Sequence, residues 1–450
     1  MDDRKRIWFL SILLGIFGIG TAVFLYEYAA FAPQWARMLG NPNVDYKGRV
    51  SVGTIVDREG ILLSHQANGK VYSQDDAIAK ATVHWVGDRQ GNIPEHLLHI
   101  YRENMLRYRY LHGLYCFGGF GGKMTLTLSA RLQAAALEAM EGRKGVVAMY
   151  NYQTGELLCA LSVPAPDPNG QNVLPADGIY MNRFLQGTYI PGSIFKLVTA
   201  AAMLEAFGSQ QRLYTCSGNL PLAGGAVTCQ RPHGTLNMQD ALMVSCNCTF
   251  AQIALGLGGE KMEQYVHRFG ITDSVSLDGM SSVSGRYDRG LTDAEFAWSS
   301  VGQFHDQINP CSFLCFLGAI ANGGQGTQPH IVQSVEAGSD LVYQAKTKLG
   351  QSILSPKTCD ILQRCMAYNV THNYGAEHFP GMNVCAKSGT AEVGGGNMPN
   401  AMFAGFVADR EYPLAFLIAV EDGGSGKTVC VPILSRVLKT YKELADSGSI

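Results

Sequence analysis

Several features are scarce in this 450-residue chain. Neither sign of charge is in excess, since 35 Lys and Arg stand against 37 Asp and Glu, a net charge of −2. No run of basic residues recurs along the chain, which argues against nucleic acid as a partner. Only one long uncharged run is present. The twelve cysteines include no Cys-x-x-Cys pair, and no His-rich ligand set appears, so no metal and no cofactor is expected. His96-Leu-Leu-His99 reads as an ordinary helical surface. Phosphate-loop spacings are missing as well. Phe117-Gly-Gly-Phe-Gly-Gly122 fits no nucleotide-binding pattern and reads as a flexible joint between domains. Gly423-Gly-Ser-Gly-Lys427-Thr428 ends like a Walker A loop, but Glu421 stands where its first glycine belongs.

The length suggests more than one domain, and a hydrophobic content of 46% is enough for a sizeable core. Arg4, Lys5 and Arg6 precede the uncharged run Ile7 to Tyr26, close to the roughly 20 residues that a membrane-spanning helix requires. No Ala-x-Ala-like cleavage site is obvious behind it, and although Ala29-Ala30 leaves cleavage open, residues 7–26 read as a retained anchor. The basic cluster places residues 1–6 in the cytoplasm and the remainder of the chain outside it. An oxidising exterior normally pairs or avoids cysteines. Cys216 and Cys229 flank a Gly- and Pro-containing segment that a bridge would close. Cys246, Cys248, Cys311, Cys315 and Cys385 fall in apolar or motif surroundings. The reading favours mostly reduced, buried thiols, as suits a cell living without oxygen.

The rest of the chain is organised around Tyr189-Ile-Pro-Gly-Ser193-Ile-Phe-Lys196 and the apolar run to Leu204. Pro191 and Gly192 stop what precedes them, and a helix buried on most sides follows. Ser193 and Lys196, three residues apart, project from one face of its first turn. An amine desolvated there has its pKa lowered and acts as a base toward the hydroxyl, one of the ways to make a serine nucleophilic. A helix cap followed by a snorkelling lysine reads the same way when these residues are taken alone.

Two further sets decide between those readings. Ser245-Cys-Asn247 lies between the helical pattern Leu236 to Val244 and a second helix. Lys387-Ser388-Gly389-Thr390 ends an apolar strand. Strands are also expected over 48–57, 145–150, 157–162, 383–386, 401–408 and 413–420, with helices over 94–110 and from a Ser129 cap to Met140. Residues 190–370 read as mainly helical. The resulting fold class is α+β, with a sheet built from both ends of a domain and a helical block inserted between.

Ser-x-x-Lys, Ser-x-Asn and Lys-Ser-Gly in that order make the three-motif set of penicillin-recognising serine enzymes. The chain resembles the class B penicillin-binding proteins, the monofunctional peptidoglycan transpeptidases, and particularly their shorter Gram-positive members. Flanking stretches share the resemblance: Leu126 to Gln133, Tyr152 to Leu158, Ser162 to Asn169, Asn182-Arg183, His233-Gly234, Gly302-Gln303 and Ala321 to Gly324. Gly53 to Gly60 and His84 to Gly87 resemble a shortened N-terminal non-catalytic region. The resemblance implies a transpeptidase fold, a five-stranded antiparallel sheet with helices on both faces. It divides the chain into a pedestal-like domain over 33–124 and a transpeptidase domain over 125–445.

It implies the chemistry as well. Ser193 would attack the carbonyl between the last two D-alanines of a stem peptide, with Lys196 taking its proton. Ser245, near Lys387, would help return a proton to the departing D-alanine, and Asn247 would hold the donor peptide. Ser388, Gly389 and Thr390 would line the substrate, with the N–H groups of Ser193 and Thr390 as the oxyanion hole. An amine of a neighbouring stem peptide would complete the cross-link. Expected partners are peptidoglycan stem peptides, β-lactams, the membrane and a polytopic glycan polymerase. Met402-Phe403 stands where many relatives carry Trp-Phe. The alternatives are a D,D-carboxypeptidase and a membrane-anchored β-lactam sensor or inactive scaffold. A class A β-lactamase would need Glu-x-x-Leu-Asn, which is absent.

Overall fold

A computed structural model describes residues 3–38, 53–66, 70–94, 96–110, 113–115, 121–169, 177–338, 340–379, 381–392 and 398–450. Most of the glycine joint at 117–122 and the first half of the strand expected over 48–57 lie outside them.

The centre is a five-stranded antiparallel sheet in the order Val384–Ala391, Asn400–Val407, Leu414–Val420, Gly145–Asn151, Leu157–Val163. All five expected strands are present. Their near-continuous apolar runs follow from burial on both faces, because successive side chains point to opposite sides. Val147, Met149, Phe403, Phe416 and Ile418 pack under the C-terminal helix Gly426–Asp446, with Cys430, Leu434, Val437 and Leu438 among its contacts. Val146, Ala148, Tyr150, Ala404 and Leu417 face the helical block, which includes the helices Lys196–Phe207 and Pro310–Ala321. Gly318 lets the second of these lie against the sheet, since a Cβ there would fall 1.6 Å from the Tyr150 hydroxyl. A layer of helix on each face is therefore what the sheet's sequence demands.

A second, six-stranded sheet runs in the order Asp340–Gln344, Val332–Ala337, Gly122–Leu126, Gly53–Val56, Leu62–Gln66, Lys70–Tyr72. The strands 53–72 thus share hydrogen bonds, through Gly122–Leu126, with a segment more than two hundred residues later. Asp57 ties the two ends together: its carboxylate accepts the N–H groups of Glu59, Ile61 and Ala130. Ala130 opens the helix Ala130–Ala139, whose cap is the expected Ser129. From the helix Asp76–Val86, the buried Trp85 donates to the Ala160 carbonyl at 2.8 Å, docking on the edge strand of the central sheet.

Two expectations need correcting. The single helix over 94–110 is instead two turns, Leu97–Ile100 and Arg102–Met105, followed by the strand Arg107–Arg109 paired with Gly113–Tyr115. The backbone leaves the helix at Tyr101 (φ −91°, ψ 13°) and turns extended at Leu106 (φ −97°, ψ 122°), so strand pairing overrides helical propensity. The strand placed at 383–386 runs on to Ala391, so the Lys-Ser-Gly motif lies inside an edge strand. Gly423–Thr428 opens the C-terminal helix, capped by Ser425.

The N-terminal helix Asp3–Arg37 contains the uncharged run, and the side chains from Ile7 to Tyr26 are exposed. Its most apolar 18-residue stretch has a mean hydropathy of 2.2, long and apolar enough to cross a membrane.

Candidate active site

The chain enters the site through Gly192, whose φ of +54° is left-handed. A Cβ there would meet the Thr390 carbonyl oxygen at 2.7 Å, so only glycine lets the turn press against the edge strand. Gly192 N–H is held by Gly302 O at 2.8 Å. Gly192–Phe195 form a 3₁₀ turn, and the α-helix starts at Lys196. In a 3₁₀ turn residues three apart eclipse. Lys196 Nζ consequently lies 3.0 Å from Ser193 Oγ.

The remaining partners of Lys196 come from the Ser-x-Asn turn. Its Nζ donates to Ser245 O at 2.7 Å, Asn247 Oδ1 at 2.7 Å and Ser245 Oγ at 3.2 Å. As expected, that turn joins two helices, Met238–Met243 and Asn247–Leu257, and Ser245 takes a left-handed φ of +57°. Asn247 Nδ2 is in turn anchored on Thr228 O at 2.9 Å. Lys387 reaches across from the edge strand, its Nζ 3.1 Å from Ser245 Oγ and 2.8 Å from Ser388 O.

Both lysines are almost fully buried, whereas Ser193, Ser245, Asn247 and Ser388 are half-buried and Thr390 is exposed. The amines form the floor and the hydroxyls the rim. Desolvation lowers the pKa of Lys196 to about 8, against the upward pull of the nearby Cys246, Cys229 and Cys248 thiols. The displacement is worth on the order of 3 kcal/mol against the charged form. Burial, and then the charge of Lys196, push Lys387 well below the ordinary lysine value. A neutral amine in contact with a serine hydroxyl is a competent base.

Sequence reasoning missed two supports. Tyr374, at the end of a π-helical turn after the helix Pro356–Asn369, accepts the Ser388 N–H at 2.9 Å and lies 3.1 Å from Ser388 Oγ. Gln303 donates from Nε2 to Thr390 O at 3.3 Å. The Gly302-Gln303 signature pointed to the second; nothing local marks Tyr374. Met402 and Phe403 pair in register with Gly389 and Ser388, and both are fully buried in the sheet. Among the cysteines, the Sγ atoms of Cys216 and Cys229 stand 3.8 Å apart, too far for a disulfide bond of about 2.05 Å.

Comparison with known proteins gives a consistent result. A family model described as the penicillin binding protein transpeptidase domain matches residues 145–439. The peptidoglycan D,D-transpeptidase PbpA of Mycolicibacterium smegmatis is 28% identical over 354 residues, 70% of this chain and 71% of that protein. Stage V sporulation protein D of Bacillus subtilis is 24% identical over 345 residues, 71% of this chain and 53% of that one. Among solved structures, PBPA of Mycobacterium tuberculosis matches with a TM-score of 0.76 at 22% identity, covering 87% of this chain and 100% of that one. The ceftriaxone acyl-enzyme complex of the M. tuberculosis protein has a TM-score of 0.74 at 20% identity, with 87% and 98% covered. The family model spans well over half of the chain and takes in all three motifs, so the chain belongs to the penicillin-binding protein transpeptidases, among their class B members.

Proposed function

We infer that this protein is a peptidoglycan D,D-transpeptidase that works through a serine acyl-enzyme and is acylated by β-lactams. The observation that carries this reading is the 3.0 Å contact between Ser193 Oγ and a buried amine surrounded by neutral oxygens. With no carboxylate among those partners, burial keeps the amine's proton affinity low, and the free base is available near neutral pH.

Ser193 attacks the carbonyl between the two terminal D-alanines of a stem peptide while Lys196 takes the hydroxyl proton. The N–H groups of Ser193 and Thr390 receive the developing oxyanion. Ser245 Oγ, within reach of both Lys196 and Lys387, passes a proton to the leaving D-alanine nitrogen. Asn247, fixed by Lys196 and Thr228, holds the donor peptide backbone, and Ser388, braced by Tyr374, orients the substrate carboxylate. The amine of a second stem peptide then displaces Ser193 and closes the cross-link.

The apolar helix anchors the protein in the membrane. Arg4, Lys5 and Arg6 favour a cytoplasmic N-terminus, which puts the catalytic domain outside. Residues 33–124 serve as a pedestal and 125–445 as the catalytic domain; strands shared between the two parts support a stiff connection. A glycan polymerase in the same membrane is the natural partner, because a cross-linking enzyme consumes what such a polymerase makes.

Incubation with a fluorescent penicillin tests the assignment. The full-length protein should take up a stable label that Ser193→Ala abolishes. Rapid loss of label would point to a hydrolytic carboxypeptidase instead, and labelling that survives in the variant would remove Ser193 from the active site.

A further inference from the structure

Beside the Ser-x-Asn turn, four potential ligand atoms converge from separate parts of the chain. Cys229 Sγ lies 3.8 Å from Cys216 Sγ and 3.8 Å from Cys246 Sγ, and Cys216 Sγ lies 3.5 Å from His233 Nδ1. All four atoms fall within 4.8 Å of one another. Cys216 ends the strand Tyr214–Cys216, His233 directly precedes its partner strand Gly234–Leu236, and Cys246 caps the helix Asn247–Leu257. None of these residues is used by the acyl-transfer chemistry itself.

The spacing discriminates between explanations. A disulfide would bring two sulfurs to about 2.05 Å and leave the other groups out. A tetrahedral zinc ion, with Zn–S of about 2.3 Å and Zn–N of about 2.0–2.1 Å, sets sulfur–sulfur edges at about 3.8 Å and sulfur–nitrogen edges at about 3.5–3.6 Å. The two sulfur–sulfur distances of 3.8 Å and the sulfur–nitrogen distance of 3.5 Å match those lengths. The surroundings favour thiolates as well. Cys248 N–H points to Cys229 Sγ and Thr249 N–H to Cys246 Sγ, each at 3.4 Å. Both donors belong to the first turn of a helix, the end that favours negative charge, and such N–H donors commonly steady metal-bound thiolates. Cys216 and Cys246 are buried and the other two half-buried, so four ligands close around one point. Cys248 Sγ also stands 3.5 Å from Cys229 Sγ, but it donates to Val227 O at 3.5 Å and is not one of the four mutually close ligand atoms.

We propose that Cys216, Cys229, His233 and Cys246 bind one zinc-class divalent cation that clamps the Ser245-Cys246-Asn247 turn to the neighbouring two-stranded sheet. Soft sulfur and imidazole ligands select such an ion over magnesium or calcium. Binding forms three metal–sulfur bonds and one metal–nitrogen bond and releases the three thiol protons, with no change of oxidation state. Cys246 sits between the two residues that hold Lys196, so the ion acts on catalysis by positioning. Four ligands fill a tetrahedral ion and leave no open position for substrate.

The test is made on the full-length protein, purified in detergent under anaerobic, reducing conditions without chelator. Elemental analysis should find about one zinc per chain. X-ray absorption should show three sulfurs near 2.3 Å and one nitrogen near 2.0–2.1 Å. The Cys216→Ser/Cys229→Ser variant should lose the metal, while Cys430→Ser, altered under the C-terminal helix, should keep it. Protein that contains no zinc and takes up none on titration overturns the proposal, as does a metal shell built from other ligands or a Cys216–Cys229 disulfide in the isolated protein. The native-protein measurements stand even if the double variant does not fold. Because metal content is read independently of penicillin labelling, this proposal and the transpeptidase assignment fail separately.

Discussion

Lys387 Nζ lies 3.1 Å from Ser245 Oγ, the hydroxyl that Lys196 Nζ also reaches, at 3.2 Å. Two amines on one hydroxyl inside a buried site cannot both hold a full charge cheaply, since like charges and desolvation act in the same direction. Each has its pKa lowered, Lys387 partly by the charge on Lys196. The pair binds its second proton weakly, which leaves one amine free as a base while the shared hydroxyl offers a path for the proton to the leaving group.

A pH profile of acylation follows. The reactive form has Lys196 neutral, and its pKa is about 8. Below that value the free-base fraction falls about tenfold per pH unit, and above it the rate levels off. The second-order rate of fluorescent penicillin labelling, measured from about pH 6 to 9.5, should therefore rise and reach a plateau. A rate that stays flat or declines across that window would contradict Lys196 as the base.

Tyr374→Phe removes one hydroxyl and keeps the ring, whose edge packs on Phe403 with centroids 5.1 Å apart. What is lost is the acceptor for Ser388 N–H and the partner of Ser388 Oγ. A buried donor left unsatisfied costs about 1–3 kcal/mol, so the thermal midpoint should fall. With Ser388 proposed to orient the substrate carboxylate, weaker initial binding of the β-lactam should accompany that loss, with the limiting acylation rate reduced less. Saturation kinetics separate the two, and an unchanged binding constant would make Tyr374 a purely structural residue.

Much of this architecture could be read from the residues. The five strands of the central sheet are apolar runs bounded by turns, and Ser129 at the head of its helix is a local cap. The three motifs carry their spacing in the sequence. What could not be read depends on contacts between distant segments. The helix expected over 94–110 gives way because the chain turns extended at Leu106 and Arg107–Arg109 pairs with Gly113–Tyr115. Tyr374 reaches Ser388 from a different element. The sulfur cluster draws on one strand end, two loop positions and a helix cap, Cys-x₁₂-Cys-x₃-His-x₁₂-Cys, wider than the short ligand spacings that mark a metal site in sequence. With no such pair present, the reading expected no metal. In sequence Cys216 and Cys229 suggest only a bridge, because Cys246 lies inside the Ser-x-Asn motif, which masks a second use.

Gly192 offers the sharpest test of how the nucleophile turn meets the edge strand. Its φ is +54°, and a Cβ would lie 2.7 Å from Thr390 O and 3.2 Å from Ala391 Cα, both backbone atoms that cannot swing aside. Gly192→Ala must therefore push the strand away from the turn or rotate the turn itself. Either movement separates the N–H groups of Ser193 and Thr390, the proposed oxyanion hole, and losing one oxyanion donor typically costs 10²–10³ in rate. Acylation of Gly192→Ala should drop by roughly that factor. Gly142→Ala is the control, because Gly142 also has positive φ, +78°, but nothing lies within 4 Å of its Cβ position. That variant bears the backbone strain alone and should label at the normal rate. Equal labelling by both variants would mean that the 2.7 Å approach of turn and strand is not what sets the oxyanion geometry.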